Sequence, residues 1–179
     1  GVQTCALPIF ETVVSFVKSR HTVYETPITM SGRDTVGEAL SLVHKRSHGA
    51  IVVVDDDSLP VGIFTEHDAA GFDRFTQISN VMSRELFTLP SGLDAQTMFE
   101  RLNEARLHFA PVVAGDGRLL GCVTRKGALR STIYEPALDK NGRLMIAVAV
   151  GINADPATRA KALVGMDVDV VVVDNAHEI

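Results

Sequence analysis

Two copies of a short motif contain polar residues that can bind a ligand. The first copy reads Gly62-x-x-Thr65-x-x-Asp68, and the second, 59 residues later, has Thr124 at the threonine position and Gly127 at the carboxylate position. A hydroxyl can donate a hydrogen bond to a ligand oxygen, and a carboxylate can accept two hydrogen bonds from hydroxyl groups. Only the first copy is complete. The alternative for Thr65 and Asp68 is an ordinary helix cap, a role for which these residue types are common.

The residues around both motifs predict a repeated β-α-β-β-α unit. Because internal repeats decide architecture before any local feature, we take this pair as the frame of the chain. The first unit is predicted to have a helix over 36–46, strands at 51–54 and 61–65, and a helix over 66–71. The second is predicted to have a helix over 95–106 capped by Asp94, strands at 111–113 and 119–124, and a helix over 127–133.

The two ends of the chain predict a different kind of structure. Residues 10–19 have the apolar spacing of a helix, with Lys18 suiting its C-terminal end. Residues 145–151 and 168–173 are apolar without alternation, which is typical of parallel strands buried on both faces. Asp155 and Pro156 begin a helix that connects these two strands. Asp174 follows the last strand, where a (β/α)8 barrel places its active-site residues.

Composition excludes several classes of partner. The net charge of −5 is spread along 179 residues without a basic run, so we expect no nucleic-acid or membrane partner. Two cysteines and the lack of an export signal predict a cytoplasmic protein, with Cys122 a packing residue in a strand. His44 and His48 have the spacing of two metal ligands but lack a third, so we predict no metal site.

The repeated unit resembles a tandem pair of CBS domains, known as a Bateman module. The resemblance rests on the order of elements and on the G-x-x-T-x-x-D ending. It implies that Gly62, Thr65 and Asp68 bind a regulatory nucleotide through its phosphate and ribose, with Thr124 serving the altered second copy.

The flanks carry a second resemblance. The strings A-V-G-x-N at 149–153 and V-D-V-V-V-x-D-x-A-H at 168–177, on either side of a helix, resemble the IMP dehydrogenase / GMP reductase family along residues 10–179. Residues 20–27, 72–75 and 127–132 resemble the GMP reductases of actinobacterial type, which keep the CBS pair. The resemblance implies hydride exchange between NAD or NADP and C2 of a purine nucleotide, through a thioimidate on a catalytic cysteine.

This resemblance implies that the chain is a fragment. A barrel needs about 250 residues, so the expected fold is α/β, a tandem CBS module inserted in a truncated (β/α)8 TIM barrel. Asp174 would contact the cofactor ribose, although Asn175 and Glu178 depart from the family pattern. The catalytic cysteine, a monovalent-cation site and a mobile flap are expected beyond Ile179, so the fragment should be inactive. The full-length enzyme is expected to be a homotetramer, or an octamer when CBS pairs stack.

These expectations divide the chain into five parts. Residues 1–9 look like a non-native, adapter-derived segment, with an ordinary chain terminus as the alternative. Residues 10–25 are a barrel helix and linker, 26–80 and 81–135 the two CBS domains, and 136–179 the resumed barrel. The competing hypothesis is a stand-alone CBS nucleotide sensor without catalysis, which would have no use for the β-α-β unit at 143–177.

Overall fold

The structure, a computed structural model, describes residues 7–45, 48–152 and 155–174. The chain forms two compact units. Val23–Glu135 is one continuous unit, which we term the repeat module, and Gly1–Thr22 with Pro136–Ile179 is the other, which we term the flanking unit. The repeat module is therefore an insertion within the sequence of the flanking unit.

The described helices and strands follow in a regular order. In chain order they are α1 (Leu7–Lys18), β1 (Ile28–Ser31), α2 (Val36–Val43), β2 (Ala50–Val54), β3 (Pro60–Thr65), β4 (Leu89–Pro90), α3 (Ala95–Glu104), β5 (Phe109–Val113), β6 (Leu119–Thr124), α4 (Arg125–Ile133), β7 (Ala147–Gly151), α5 (Pro156–Gly165) and β8 (Val170–Asp174). Two short 3₁₀ turns lie at Glu66–Ala69 and Ile78–Asn80. Among the described helices, none is both long enough and apolar enough to span a bilayer.

The first repeat is a three-stranded sheet packed against α2. Its strand order is β1-β2-β3, with β1 parallel and β3 antiparallel to β2. Helix α2 begins with a capping box, in which the Thr35 hydroxyl accepts from the Glu38 amide and the Glu38 carboxylate accepts from the Thr35 amide. The core contains Ala39, Ile51 and Phe64, each fully buried.

The second repeat has the same topology, with strand order β4-β5-β6 and the same parallel and antiparallel pairs. Asp94 caps α3 by accepting from the Thr97 amide at 2.9 Å. Leu89, Met98 and Leu102 are fully buried in its core. The predicted order of elements is thus confirmed in the second unit and, apart from its last helix, in the first, and the strands lie within about two residues of their predicted bounds.

Two predicted helices of the first repeat are wrong in extent. Helix α2 ends at Val43 rather than at residue 46, because the chain leaves the helix in a turn at His44. The helix predicted after Thr65 is only a 3₁₀ turn that ends at Ala69, since Ala70 is extended and Gly71 takes a left-handed conformation with φ of +84°. The second repeat, in contrast, has a nine-residue helix at this point, α4.

The flanking unit contains a parallel β-α-β unit. Strands β7 and β8 pair in parallel, and α5 connects them with Asp155 as its N-cap and Pro156 in its first turn, as predicted. The prediction that both strand faces are buried is wrong for the described residues, where Val170 and Val172 are 41% and 49% exposed. The core that forms with α1 and α5 reaches Val150 and Val171, whereas Val170, Val172 and Val173 of β8 remain exposed.

Helix α1 begins at Leu7, three residues before the predicted start. Cys5, together with most of the predicted adapter-derived segment, lies outside the described residues. The adapter origin of residues 1–9 stays a prediction.

Candidate nucleotide-binding site

The first motif lies at the end of β3, where a glycine is needed for packing. A Cβ on Gly62 would lie 3.0 Å from the Ser83 carbonyl oxygen and would also collide with the Met82 side chain. Ser83 exchanges backbone hydrogen bonds with Ile63, both at 2.9 Å. The glycine therefore admits the neighbouring chain segment to the outer edge of β3.

Thr65 and Asp68 lie in direct contact across the 3₁₀ turn. The Asp68 carboxylate accepts from the Thr65 amide at 2.7 Å and from the Thr65 hydroxyl at 2.8 Å, and both bonds end on Oδ2. The structure thus brings together the hydroxyl and carboxylate that the sequence predicts as a pair. Because the turn has only four residues, a helix dipole contributes little to anion binding here.

The second motif has the threonine but a different environment. Thr124 is the N-cap of α4, and its hydroxyl accepts from the Gly127 amide at 3.0 Å. The same hydroxyl lies 3.5 Å from Oε1 of Glu25. A Cβ on Gly127 would stand 2.8 Å from the Thr124 hydroxyl and 3.4 Å from that same Glu25 oxygen. The carboxylate closest to the second motif therefore comes from outside it.

Glu25 is a residue of this site that sequence reasoning missed, and His48, which the sequence offered only as a metal ligand, lies beside it. Glu25 precedes β1 but exchanges backbone hydrogen bonds with Cys122 of β6, at 2.8 and 2.9 Å. Its carboxylate Oε2 lies 4.0 Å from Nδ1 of His48, whose side chain is only 1% exposed. The His48 ring stacks on Phe109 with centroids 4.9 Å apart. No local pattern marks Glu25, because its partners Cys122 and Thr124 lie 97 and 99 residues later in the sequence.

Other candidates from the sequence have structural roles or lie outside the site. Cys122 is fully buried in β6, and its thiol donates to the Glu25 carbonyl at 3.4 Å, in keeping with the predicted packing role. Among the residues that the structure describes, no three His, Cys, Asp or Glu side chains group as metal ligands. Asp174 is the last residue of β8 and pairs with Gly151. Asn175 and Glu178 lie outside the described residues.

The flanking unit contains a buried ion-pair network that the sequence did not reveal. The Lys18 ammonium contacts Asp139 at 2.9 Å and Asp169 at 2.6 Å, and the Lys18 side chain is only 5% exposed. Arg143 also binds Asp139, through Nε at 2.9 Å, and forms an ion pair with Asp167. The hydrogen bond from Lys18 is the main reason why the pKa of Asp139 lies far below its usual value. This network is structural, since every charge is paired within it.

Comparison with known proteins identifies the chain. The profile of the IMP dehydrogenase / GMP reductase domain matches residues 11–179. The chain belongs to the IMP dehydrogenase / GMP reductase family. This is a family of NAD(P)-dependent oxidoreductases that act on purine nucleotides.

Individual relatives agree with this assignment. The chain is 41% identical over 175 residues to a GMP reductase from Mycobacterium tuberculosis, a match that covers 98% of this chain and 36% of the relative. An IMP dehydrogenase from the same organism is 34% identical and is covered to 35%. The chain therefore spans only about a third of the length of these family members.

Solved structures resemble the chain both as a whole and in part. GMP reductase from Trypanosoma brucei in complex with guanosine 5'-triphosphate matches with a TM-score of 0.68 and 27% identity, over 98% of this chain and 44% of that one. The CBS domains of a transcriptional regulator from Streptococcus pneumoniae match with a TM-score of 0.55 and 28% identity, over 60% of this chain and 93% of theirs.

Proposed function

We propose that this chain is part of a GMP reductase, an enzyme that reduces GMP with NADPH to IMP and ammonia. The observation that carries the proposal is the 41% identity to a GMP reductase over 98% of the chain, against 34% to an IMP dehydrogenase. Both reactions exchange a hydride between a nicotinamide cofactor and C2 of the purine, so the family match alone leaves the direction open.

The flanking unit is proposed as two successive strands of a (β/α)8 barrel with the intervening helix. The parallel β7-α5-β8 arrangement and the exposed valines of β8 support this, because barrel strands are paired on both edges and covered on both faces. Asp174 then lies at the carboxyl end of a barrel strand, and we assign it a contact with the ribose of the cofactor. The bound nicotinamide would donate or accept the hydride.

The nucleophilic cysteine and the monovalent cation are proposed to belong to other segments of the full-length enzyme. Cys122 does not fit the nucleophile, since it is fully buried in β6 and bonded to a backbone carbonyl. We expect the 179-residue chain alone to be inactive.

The repeat module is proposed as a pair of CBS domains that bind a regulatory purine nucleotide. Two β-α-β-β-α repeats and the likeness to the Streptococcus pneumoniae CBS domains support this assignment. Gly62, Thr65 and Asp68 form the first half-site, and Thr124 belongs to the second. GTP is the probe of choice, because the similar Trypanosoma brucei reductase was solved with GTP bound.

A stand-alone CBS sensor remains the second candidate, favoured by the compactness of the continuous Val23–Glu135 unit. The family match extends to residue 179, well outside that unit, and favours the enzyme.

Activity of the full-length protein tests the proposal. We expect NADPH oxidation that depends on GMP, followed at 340 nm, and slower or no NAD reduction with IMP. Activity with IMP and NAD alone would assign the protein as a dehydrogenase. The absence of both activities in a folded protein, combined with GTP binding, would favour the sensor.

A further inference from the structure

The second repeat lacks the carboxylate of the motif, yet a carboxylate from another segment lies beside its threonine hydroxyl. In the first repeat, Asp68 lies 2.8 Å from the Thr65 hydroxyl. In the second, Glu25 lies 3.5 Å from the Thr124 hydroxyl. Each threonine that ends the last strand of its sheet thus has one carboxylate beside its hydroxyl, although the two acids come from different parts of the sequence.

An acidic residue at position 127 would lie beside the Glu25 carboxylate. A Cβ at Gly127 would be 3.4 Å from Oε1 of Glu25, an ordinary contact distance, so an aspartate there would bring a like charge close to Glu25. The absence of a side chain at Gly127 avoids this pair of neighbouring carboxylates. We therefore treat Gly127 and Glu25 together: the motif loses its carboxylate at position 127, and Glu25 places a carboxylate beside the same threonine.

The backbone places Glu25 at a defined position of the repeat. Glu25 pairs with Cys122 of β6 in the way that Ser83 pairs with Ile63 of β3, through two reciprocal hydrogen bonds of 2.8 to 2.9 Å. The first half-site thus combines Ser83 with Asp68, and the second combines Glu25 with Gly127. Glu25 is 45% exposed, so its carboxylate is open to a ligand, and its Oε2 lies 4.0 Å from Nδ1 of the buried His48.

We propose that Glu25 replaces the missing aspartate and accepts the ribose hydroxyls of a nucleotide at the second half-site. The Thr124 hydroxyl and the first turn of α4 remain to contact its phosphate. This inference rests on the proposed nucleotide-binding function of the module. The second half-site is then a ribonucleotide site in its own right, in which the specificity for the sugar is supplied by the segment before β1.

Calorimetric titration of the full chain with GTP tests this role. Asp68→Ala is used as background, because it disables the first half-site and leaves the second to be measured alone. In that background we expect Glu25→Gln to weaken GTP binding about 10- to 100-fold, the usual effect of losing hydrogen bonds to a charged acceptor. Glu100→Gln, an exposed exchange of the same type on α3, is the matched control and should leave the affinity unchanged.

Two further arms separate a contact with ribose from a general effect on the site. Binding of 2',3'-dideoxy-GTP should already be weak and should not respond to Glu25→Gln. The double exchange Glu25→Ser with Gly127→Asp gives the second half-site the residue types of the first. It should bind GTP more tightly than Gly127→Asp alone, because the contact of a Cβ at position 127 with the Thr124 hydroxyl is common to both variants. Thermal melting of each variant confirms that it is folded.

The outcomes distinguish this inference from the function on which it rests. If the wild-type chain binds no GTP, the proposed nucleotide-binding function of the module is wrong, and the role of Glu25 falls with it. If the wild type binds GTP but Asp68→Ala abolishes all binding, only the second half-site is refuted. Equal losses for GTP and 2',3'-dideoxy-GTP upon Glu25→Gln would likewise refute the ribose contact alone.

Discussion

At the scale of single residues, the contact between Thr65 and Asp68 can be explained by a local cap or by a ligand site. A cap alone would affect stability, whereas a ligand site would affect affinity. Both bonds from Thr65 use the same oxygen of Asp68, so the pair is oriented before any ligand arrives. Substitution of Asp68 separates the two explanations.

Asp68→Ala is expected to weaken GTP binding at the first half-site about 10- to 100-fold, because a carboxylate that accepts ribose hydroxyls is lost. Titration calorimetry measures the affinity and the number of sites. Asp56→Ala, in an exposed turn of the same repeat, is the control. Unchanged GTP binding by Asp68→Ala, with only a lower melting temperature, would leave Asp68 as a structural cap.

Residue types predicted the pair at Thr65 and Asp68 because both members lie within one motif, three residues apart. Glu25 escaped prediction because its partners are distant in sequence, with Cys122 97 residues away. The sequence predicts that Lys18 interacts with the helix dipole at the C-terminal end of its helix. In the structure it binds Asp139 and Asp169, which lie 121 and 151 residues later. Sequence spacing reveals contacts within an element and does not reveal those made by tertiary folding.

At the scale of elements, strands were easier to predict than helix ends. Residues 50–54 are apolar throughout, which is typical of a buried strand, and the predicted strand at 51–54 begins one residue after β2 does. Residues 66–71 contain good helix formers, yet the chain makes a single turn because Ala70 becomes extended before Gly71. Helix propensity is a weak preference that tertiary structure overrides.

The burial of β3 gives a prediction about this repeat. Phe64→Ala should lower the free energy of unfolding of the repeat module by about 3–5 kcal/mol, since Phe64 is fully buried and leaves a cavity. Phe75→Ala is the matched control, because Phe75 is 85% exposed, and its effect should stay within about 0.5 kcal/mol. Urea denaturation monitored by circular dichroism measures both. Equal effects of the two substitutions would contradict the assigned core.

At the scale of the whole molecule, the ion-pair network joins three distant segments of the flanking unit. Burial lowers the pKa of Lys18, but hydrogen bonds to Asp169 and Asp139 outweigh it, so the net pKa is raised. The pKa values of Asp139 and Asp169 are lowered, chiefly by the hydrogen bonds from Lys18. All three groups are therefore charged across the neutral range.

The signs of these shifts define the pH range of stability. The contribution of the two aspartates is present above their unfolded pKa of about 3.9 and is lost as the pH falls below it. The contribution of Lys18 is present below about pH 10.4 and is lost as the pH rises through its raised pKa. We expect a thermal midpoint that is flat between these limits and falls on both sides.

Lys18→Met should lower the thermal midpoint of the flanking unit by several degrees at pH 7, because Asp169 and Asp139 both lose their contact with the ammonium, and Asp139 is left with Arg143. The thermal midpoint of the variant should also change less at acid pH than that of the wild type does. Lys161→Met, at an exposed position of α5, is the control. A midpoint equal to that of the wild type at pH 7 would contradict a stabilising role for the network.

The position of Lys18 and Asp139 in the chain has a consequence for how this protein could have arisen. Lys18 precedes the repeat module in the sequence and Asp139 follows it. Their contact, at 2.9 Å, joins the two sequence segments of the flanking unit close to the points where the repeat module is inserted. Because the flanking unit joins its two sequence segments by its own contacts, its fold does not depend on the length of the segment inserted between them. Loop closure also becomes only slowly more costly with length. Such a junction allows an inserted module to be gained, lost or exchanged over evolution while the fold of the flanking unit is preserved.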